Sequence, residues 1–303
     1  PGVEATSSSA DAQDDAVIKT LCAVAASVPS GTDTPPCVCE LFDARKIPVA
    51  RRAYPGPLEV VASDVIVGRL LAYDLTLPGI AAVCNELLTH GEGATFYIYD
   101  WTGSPTAFDT LSRSVQGGIL LGLVRSHAGS FSCELCPSSD EMVQEGDALV
   151  VVARAFADIG FGTPRPATTA MPLSMAQAVP PSNNVLVLGW SRRVPAMLEE
   201  LDWMSESPVE VTVLAEVAEK DRGLEDASLE KVRVRHVEGD ITLPARISAV
   251  EPDRFDRIAL IASDFARSEA AADARTVSAY HALGTVLDAE ADPAHMTVEV
   301  ADP

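Results

Sequence analysis

Five consecutive residues, Gly189-Trp190-Ser191-Arg192-Arg193, hold the densest chemical potential in this sequence. They close an apolar run, VLVLGW, and open a stretch with helical spacing. A glycine there lets backbone approach a pyrophosphate at a helix N-terminus, and two arginines can meet phosphate oxygens in pairs. Ser191, Arg193 and Val194 stand where a dinucleotide fingerprint has further glycines, so a purely structural turn is the alternative. Glu216 follows the next apolar run, in the place of a ribose-binding carboxylate; a solvated strand end is its plainer role. Asp240 in EGD and Ser263-Asp264 in ASD fall at two later strand ends, on the edge where open α/β sheets bind ligands. Glu216, Asp240 and Asp264 are therefore candidates to surround an adenine or nicotinamide nucleotide, or a hard cation such as Ca2+ that takes several oxygen ligands. N-capping is the competing role for Asp264.

Other chemistry is thinner. Cys37-Val38-Cys39 and Cys133-Glu134-Leu135-Cys136 together supply four thiols, but both pairs sit in strand-like segments, whereas structural zinc favours knuckle-like turns. His90, His127, His236, His281 and His295 are scattered singly. There is no GxSxG elbow, no Walker lysine loop and no cysteine with an evident histidine partner, so a non-enzymatic role is expected. A nucleotide-dependent oxidoreductase is the main alternative, although hydride transfer needs a substrate lobe with its own acid or base.

The elements that must position these residues read as α/β. VLVLGW is a continuous apolar run of the kind buried on both faces of a parallel sheet, followed by helical spacing at Met197, Leu198, Leu201 and Met204. VEVTVLAE, KVRVRHVEGD, RIALIASD and Met296 to Val300 read as further strands, with helices around 242–250 and 271–283. The alternation predicts a Rossmann-like, doubly wound parallel sheet over 184–303. Upstream, residues 65–76 and 80–89 form two apolar helical segments split by Pro78-Gly79, a helix-turn-helix signal. ATFYIYDW, GGILLGLVRS, SFSCELC and DALVVVAR follow too closely for βαβ crossovers, which makes 46–160 a crossover plus a small α+β lobe. Pro164, Pro166, Pro172, Pro180 and Pro181 mark 161–183 as a linker.

The chain has 303 residues, with 44 acidic against 22 basic side chains and a net charge of −22. The length suggests two domains. The charge argues against nucleic acid, which needs a concentrated basic surface. No apolar run approaches the roughly 20 residues of a membrane span, and the opening PGVEATSSSADAQDD has no basic and apolar leader pattern. Six cysteines in so long a chain fit a reducing compartment better than a disulfide framework.

A repeat adds organisation. Asp15-Ala16, a helix, a proline-containing loop and CVCELFD are matched by Asp273-Ala274, a helix, a similar loop and TVEVAD, with Glu40 to Asp43 and Glu299 to Asp302 at identical spacing. Residues 1–45 accordingly read as the end of a first Rossmann-type lobe.

The ordered set NNVLVLGWSRR, LAEV, HVEGD, ALIASD and ADAR resembles the regulator-of-potassium-conductance (RCK) domain, and more closely the paired RCK domains of the CASTOR/POLLUX ion channels and their bacterial relatives. VVASDVIVGRLLAYDLTLPGIAAVCNELL and ATFYIYDW resemble the crossover and C-lobe of that family, and LCPSSDEMVQEGDALVVVA the close of its C-lobe. The resemblance covers most of residues 7–303. It implies an intracellular gating ring of four subunits below an upstream pore, on the cytoplasmic side of a membrane, sensing a small ligand or cation. A standalone RCK-type subunit of a transporter is a further alternative. It also implies self-association through the crossover, for which Leu70, Leu71, Leu75 and Ile80 are the candidate residues.

Overall fold

A computed structural model describes residues 9–29, 32–91, 93–127, 130–166, 184–224, 228–287 and 295–300. Its helices are α1 (Ser9–Ser27), α2 (Ile47–Ala53), α3 (Ser63–Thr76), α4 (Ile80–Leu88), α5 (Phe108–Ser114), α6 (Arg193–Met204), α7 (Pro244–Ser248) and α8 (Glu269–Gly284). Its strands are β1 (Cys37–Leu41), β2 (Leu58–Ala62), β3 (Thr95–Asp100), β4 (Thr106–Ala107), β5 (Val115–Gln116), β6 (Gly118–His127), β7 (Ser130–Leu135), β8 (Met142–Val143), β9 (Ala148–Ala153), β10 (Gly160–Phe161), β11 (Asn184–Leu188), β12 (Val209–Ala215), β13 (Val232–Glu238), β14 (Arg257–Leu260) and β15 (His295–Val298). The chain divides into two compact units, Pro1–Pro78 with Gln177–Pro303, and Gly79–Ala176. The sequence-based boundary at 45/46 thus falls inside the first unit.

In that first unit five parallel strands run in the order β13-β12-β11-β14-β15, the doubly wound arrangement. The two-residue period of β11 explains why it lies at the centre. Val185 and Val187 enter one apolar cluster with Val194, Met197, Leu198 and Leu201 of α6, while Leu186 and Leu188 enter the cluster on the other face with Ile247 of α7 and Ala279 and Leu283 of α8.

Helix α3 belongs to this lobe. Leu71, Ala72 and Leu75 join the α6 cluster, and Gly68 comes so close to α6 that a Cβ there would lie 2.4 Å from the Arg193 carbonyl oxygen. Arg257 donates to the Leu75 carbonyl at the C-terminal end of α3, and Thr297 Oγ1 donates to Asp74 at 2.8 Å. This takes Leu71 and Leu75 out of the expected self-association set, since they are 7% and 0% exposed and consumed by their own core, while Leu70 is half-buried. Ile80 is half-buried in the other unit.

Residues 9–62 form a smaller block of the first unit. β1 and β2 pair in parallel, and α1 and α2 cover one face through Leu21, Leu41, Ala50 and Tyr54. The helix-then-strand pattern of the repeat is present twice, but its matched positions face opposite ways. Glu299 is 7% exposed whereas Glu40 is exposed, and Leu41 is fully buried whereas Val300 is 53% exposed. Asp302 lies outside the described residues.

The second unit is an antiparallel sheet, β3-β9-β6-β7. Leu120, Leu123, Leu149 and Val151 cover one face with Phe108 and Leu111 of α5, while no residue of α4 is buried. The start of the expected linker is part of this fold: β10 pairs with β5, and the Arg165 amide donates to the Arg113 carbonyl at 3.0 Å. Residues 167–183 lie outside the described residues. No described helix is long and apolar enough to cross a membrane.

Candidate functional site

The β11–α6 turn is built around backbone that only glycine adopts easily. Gly189 has φ +104°, and a Cβ there would stand 2.4 Å from the Ile261 carbonyl oxygen. The chain then bends at Trp190 and Ser191, which are 2% and 0% exposed, and enters α6. The amide groups of this turn face the carboxyl edge of the sheet, the position of a bound anion in a dinucleotide fold. Here the protein itself supplies acceptors to four amides of the turn. Gly189 N donates to Leu214 O at 2.9 Å, Arg192 N to Asp264 Oδ2 at 3.2 Å, Arg193 N to Ser191 Oγ at 3.3 Å, and Val194 N to Ser191 O at 3.1 Å.

Both arginines are likewise engaged by carboxylates. Arg192 makes a forked pair with Asp11, Nη1 to Oδ1 at 3.0 Å and Nη2 to Oδ2 at 2.9 Å. Its Nε lies 3.4 Å from Asp264 and its Nη1 3.8 Å from Asp43. Arg193 pairs with Glu299, whose second oxygen accepts the Ala262 amide at 3.0 Å. The Arg192 guanidinium holds Asp11 well below the usual carboxylate range. Burial instead pushes Asp264 and Glu299 up, although Arg192 and Arg193 pull them the other way. Asp264 Oδ1 is buried and has no hydrogen-bond partner among the described residues.

The candidate cation cluster is not assembled. Glu216 and Asp240 do converge, but Arg275 of α8 fills the space between them, 2.8 Å from Glu216 Oε1 and 3.1 Å from Asp240 Oδ1. Asp240 also accepts the Thr242 amide at 2.9 Å and hydroxyl at 2.7 Å. Asp264 is committed to Arg192. Among the described residues no group of three or more acidic, histidine or cysteine side chains is arranged to hold a metal ion, which covers the cysteine pairs as well. A guanidinium already supplies the positive charge that Ca2+ would have brought. Ser263 serves its own turn, accepting the Phe265 amide at 3.3 Å.

The sequence reading missed Arg222, the most deeply placed cation of the lobe at 2% exposure. It reaches from the loop after β12 to the carbonyls of Val217 (2.9 Å), Val237 (3.2 Å), Ala215 (3.3 Å) and Val213 (3.4 Å), and its Cζ sits 5.5 Å from the Trp190 ring centroid. It thus fills the crevice beside Trp190. Its Nη1 donates to His236 Nδ1 at 2.8 Å. Because a guanidinium only donates, the neutral His236 ring must carry its proton on Nε2, which faces Glu219 at 3.7 Å. That tautomer leaves no lone pair at Nε2 for a metal. A cavity of about 620 Å³ opens beside it, lined by Ala218, Glu219, Lys220, Leu224, His236 and Glu238. No local pattern marks Arg222 in the sequence, whereas Glu299, a charge closing an apolar strand, was a visible signal.

Known proteins similar to this chain agree with the resemblance read from its motifs. No protein-family model matches. The chain is 29% identical over 230 residues to the probable ion channel CASTOR of Oryza sativa subsp. japonica, covering 72% of this chain and 25% of that protein. It is 23% identical over 250 residues to the ion channel POLLUX of Lotus japonicus, covering 80% of this chain and 27% of that one. The chain therefore spans about a quarter of the length of these curated relatives. Among solved structures the human SLO3 gating ring is similar in fold, with a TM-score of 0.53 at 8% identity, covering 80% of this chain and 52% of that one.

Proposed function

We propose that this chain is a non-enzymatic regulatory module, the gating-ring part of a CASTOR/POLLUX-like cation channel. In this reading it lies on the cytoplasmic side of a membrane, assembles with further copies, and passes the binding of a small ligand or ion to an attached pore. The observation that carries it is the similarity to CASTOR and POLLUX channels over 72–80% of the chain, together with a gating-ring fold.

The sensing site in this reading is the Gly189–Arg193 turn with Asp264. A phosphate-bearing nucleotide must displace the Asp264 carboxylate from the first turn of α6 and the Asp11 carboxylate from Arg192, since both hold the positions that its oxygens need. Binding is then tied to a rearrangement, because a ligand favours one arrangement only through such differential contacts. Recording currents in planar bilayers from the longer channel protein that contains this chain tests the reading. Asp264→Asn, which weakens the internal competitor, is expected to shift open probability at fixed nucleotide concentration. Unchanged gating together with sustained NADH oxidation by the chain, abolished by Gly189→Trp, would overturn it in favour of an oxidoreductase.

A further inference from the structure

Among the described residues of the first unit, the apolar clusters of the 9–62 block and of the five-stranded sheet are separate. One cluster, around Leu21, Leu41, Ala50 and Tyr54, is drawn entirely from residues before Ser63. The clusters on the two faces of the five-stranded sheet take nothing earlier than Val67. No apolar cluster of described residues spans the two. The covalent join is abrupt, since β2 ends at Ala62 and α3 begins at Ser63.

What crosses the gap is polar. Arg192, at the foot of α6, reaches Asp11 in the first turn of α1 and comes within 3.8 Å of Asp43, just past β1. At the join itself Asp64 of α3 accepts the Ala44 amide at 3.0 Å, and Ser63 Oγ donates to the Leu41 carbonyl at 3.3 Å. Inside the block, by contrast, Asp14 accepts the Phe42 amide at 2.7 Å, and Lys46 pairs with Asp11 at 3.0 Å and lies 3.4 Å from Asp14. The Arg192 and Asp11 side chains are 14% and 34% exposed, so salt and water reach the pair.

We infer that Arg192 is an electrostatic clasp, which holds the α1–β1–α2–β2 block against the sheet-bearing lobe and lets the block swing about the Ala62–Ser63 join when its bonds to Asp11 and Asp43 are broken. A contact made of burial strengthens or persists in salt, while a forked guanidinium–carboxylate pair at partial exposure weakens as the screening length falls to about 3 Å at 1 M. The clasp also shares its residue with the sensing turn. Any group that captures Arg192 releases the block, which supplies the rearrangement required by the function proposed above; its use rests on that reading, its existence does not.

Amide hydrogen exchange on the whole chain tests it at three positions. The Ala44 amide, bonded across the join to Asp64, reports the swing. The Phe42 amide, bonded within the block to Asp14, and the Val187 amide, in the central strand, report general loosening. Raising sodium chloride from 0.1 to 1 M is expected to speed exchange at Ala44 about tenfold, leaving Phe42 and Val187 unchanged. Arg192→Met is expected to do the same at low salt and to remove the salt effect, and Asp11→Asn to do so in part. No acceleration at Ala44, or equal acceleration at all three, overturns the clasp. The wild-type salt series decides the matter even if a variant fails to fold. Because no pore or ligand enters this experiment, its failure leaves the channel reading standing, and the failure of that reading leaves the clasp standing.

Discussion

The Asp264 carboxylate accepts the Arg192 amide at 3.2 Å, so the first turn of α6, where a Rossmann lobe offers its backbone to a phosphate, is closed by the protein's own anion. The sequence places both residues at the carboxyl edge of the sheet. The structure adds that each is the other's partner, so that an anion brought to this turn would have to compete with Asp264.

The Gly189 turn should not tolerate a side chain. With φ at +104° and the Ile261 carbonyl 2.4 Å from the position of a Cβ, Gly189→Ala is expected to destabilise the first unit by about 1–3 kcal/mol or more, measured by chemical denaturation.

Gly68→Ala separates helix propensity from packing. Alanine in a helix interior gains roughly 0.5–1 kcal/mol over glycine, but its methyl would meet the Arg193 carbonyl oxygen at 2.4 Å. Overpacking costs about 1–3 kcal/mol, so a net loss of stability is expected in thermal unfolding. A gain would mean that α3 and α6 separate readily.

Asp240 and Glu299 should give opposite pH dependences. Burial opposes ionisation of Asp240, yet the Thr242 amide and hydroxyl and the Arg275 charge bring its carboxyl below the ordinary value. Its contribution is therefore present above the unfolded carboxylate pKa of about 3.9 and is lost as pH falls through the folded value. Burial raises Glu299 despite Arg193, so the folded state takes up this proton first, and stability from this group rises as pH falls from the folded value toward the unfolded one. Unfolding free energy measured against pH in Asp240→Asn and Glu299→Gln should lose the first slope and the second slope respectively.

Removing Arg222 should free His236. Burial and then the Arg222 charge hold this imidazole below its ordinary pKa. Arg222→Met takes away the charge, so the His236 resonance followed by NMR is expected to titrate at higher pH than in the wild type. It also takes a donor away from the carbonyls of Val213, Ala215, Val217 and Val237, of which Ala215 keeps the Gly239 amide, and a stability loss of about 1–3 kcal/mol should accompany it.

Periodicity alone was enough for the doubly wound sheet. Val185 to Leu188 alternate between two apolar faces, and a strand buried on both sides lies inside a sheet covered on both faces, the arrangement that alternating helices and strands build as a parallel sheet. The strand ends followed, and with them the placement of Gly189, Glu216, Asp240 and Asp264 at the carboxyl edge. Periodicity did not decide which charges meet. Arg192 finds Asp11 across 181 positions, Arg275 separates Glu216 from Asp240, and Leu71 and Leu75 turn into their own lobe because Gly68 lets α3 sink onto α6. Pairing of long side chains depends on distances of a few ångströms between elements remote in sequence, and local pattern holds no record of those distances until the chain has packed.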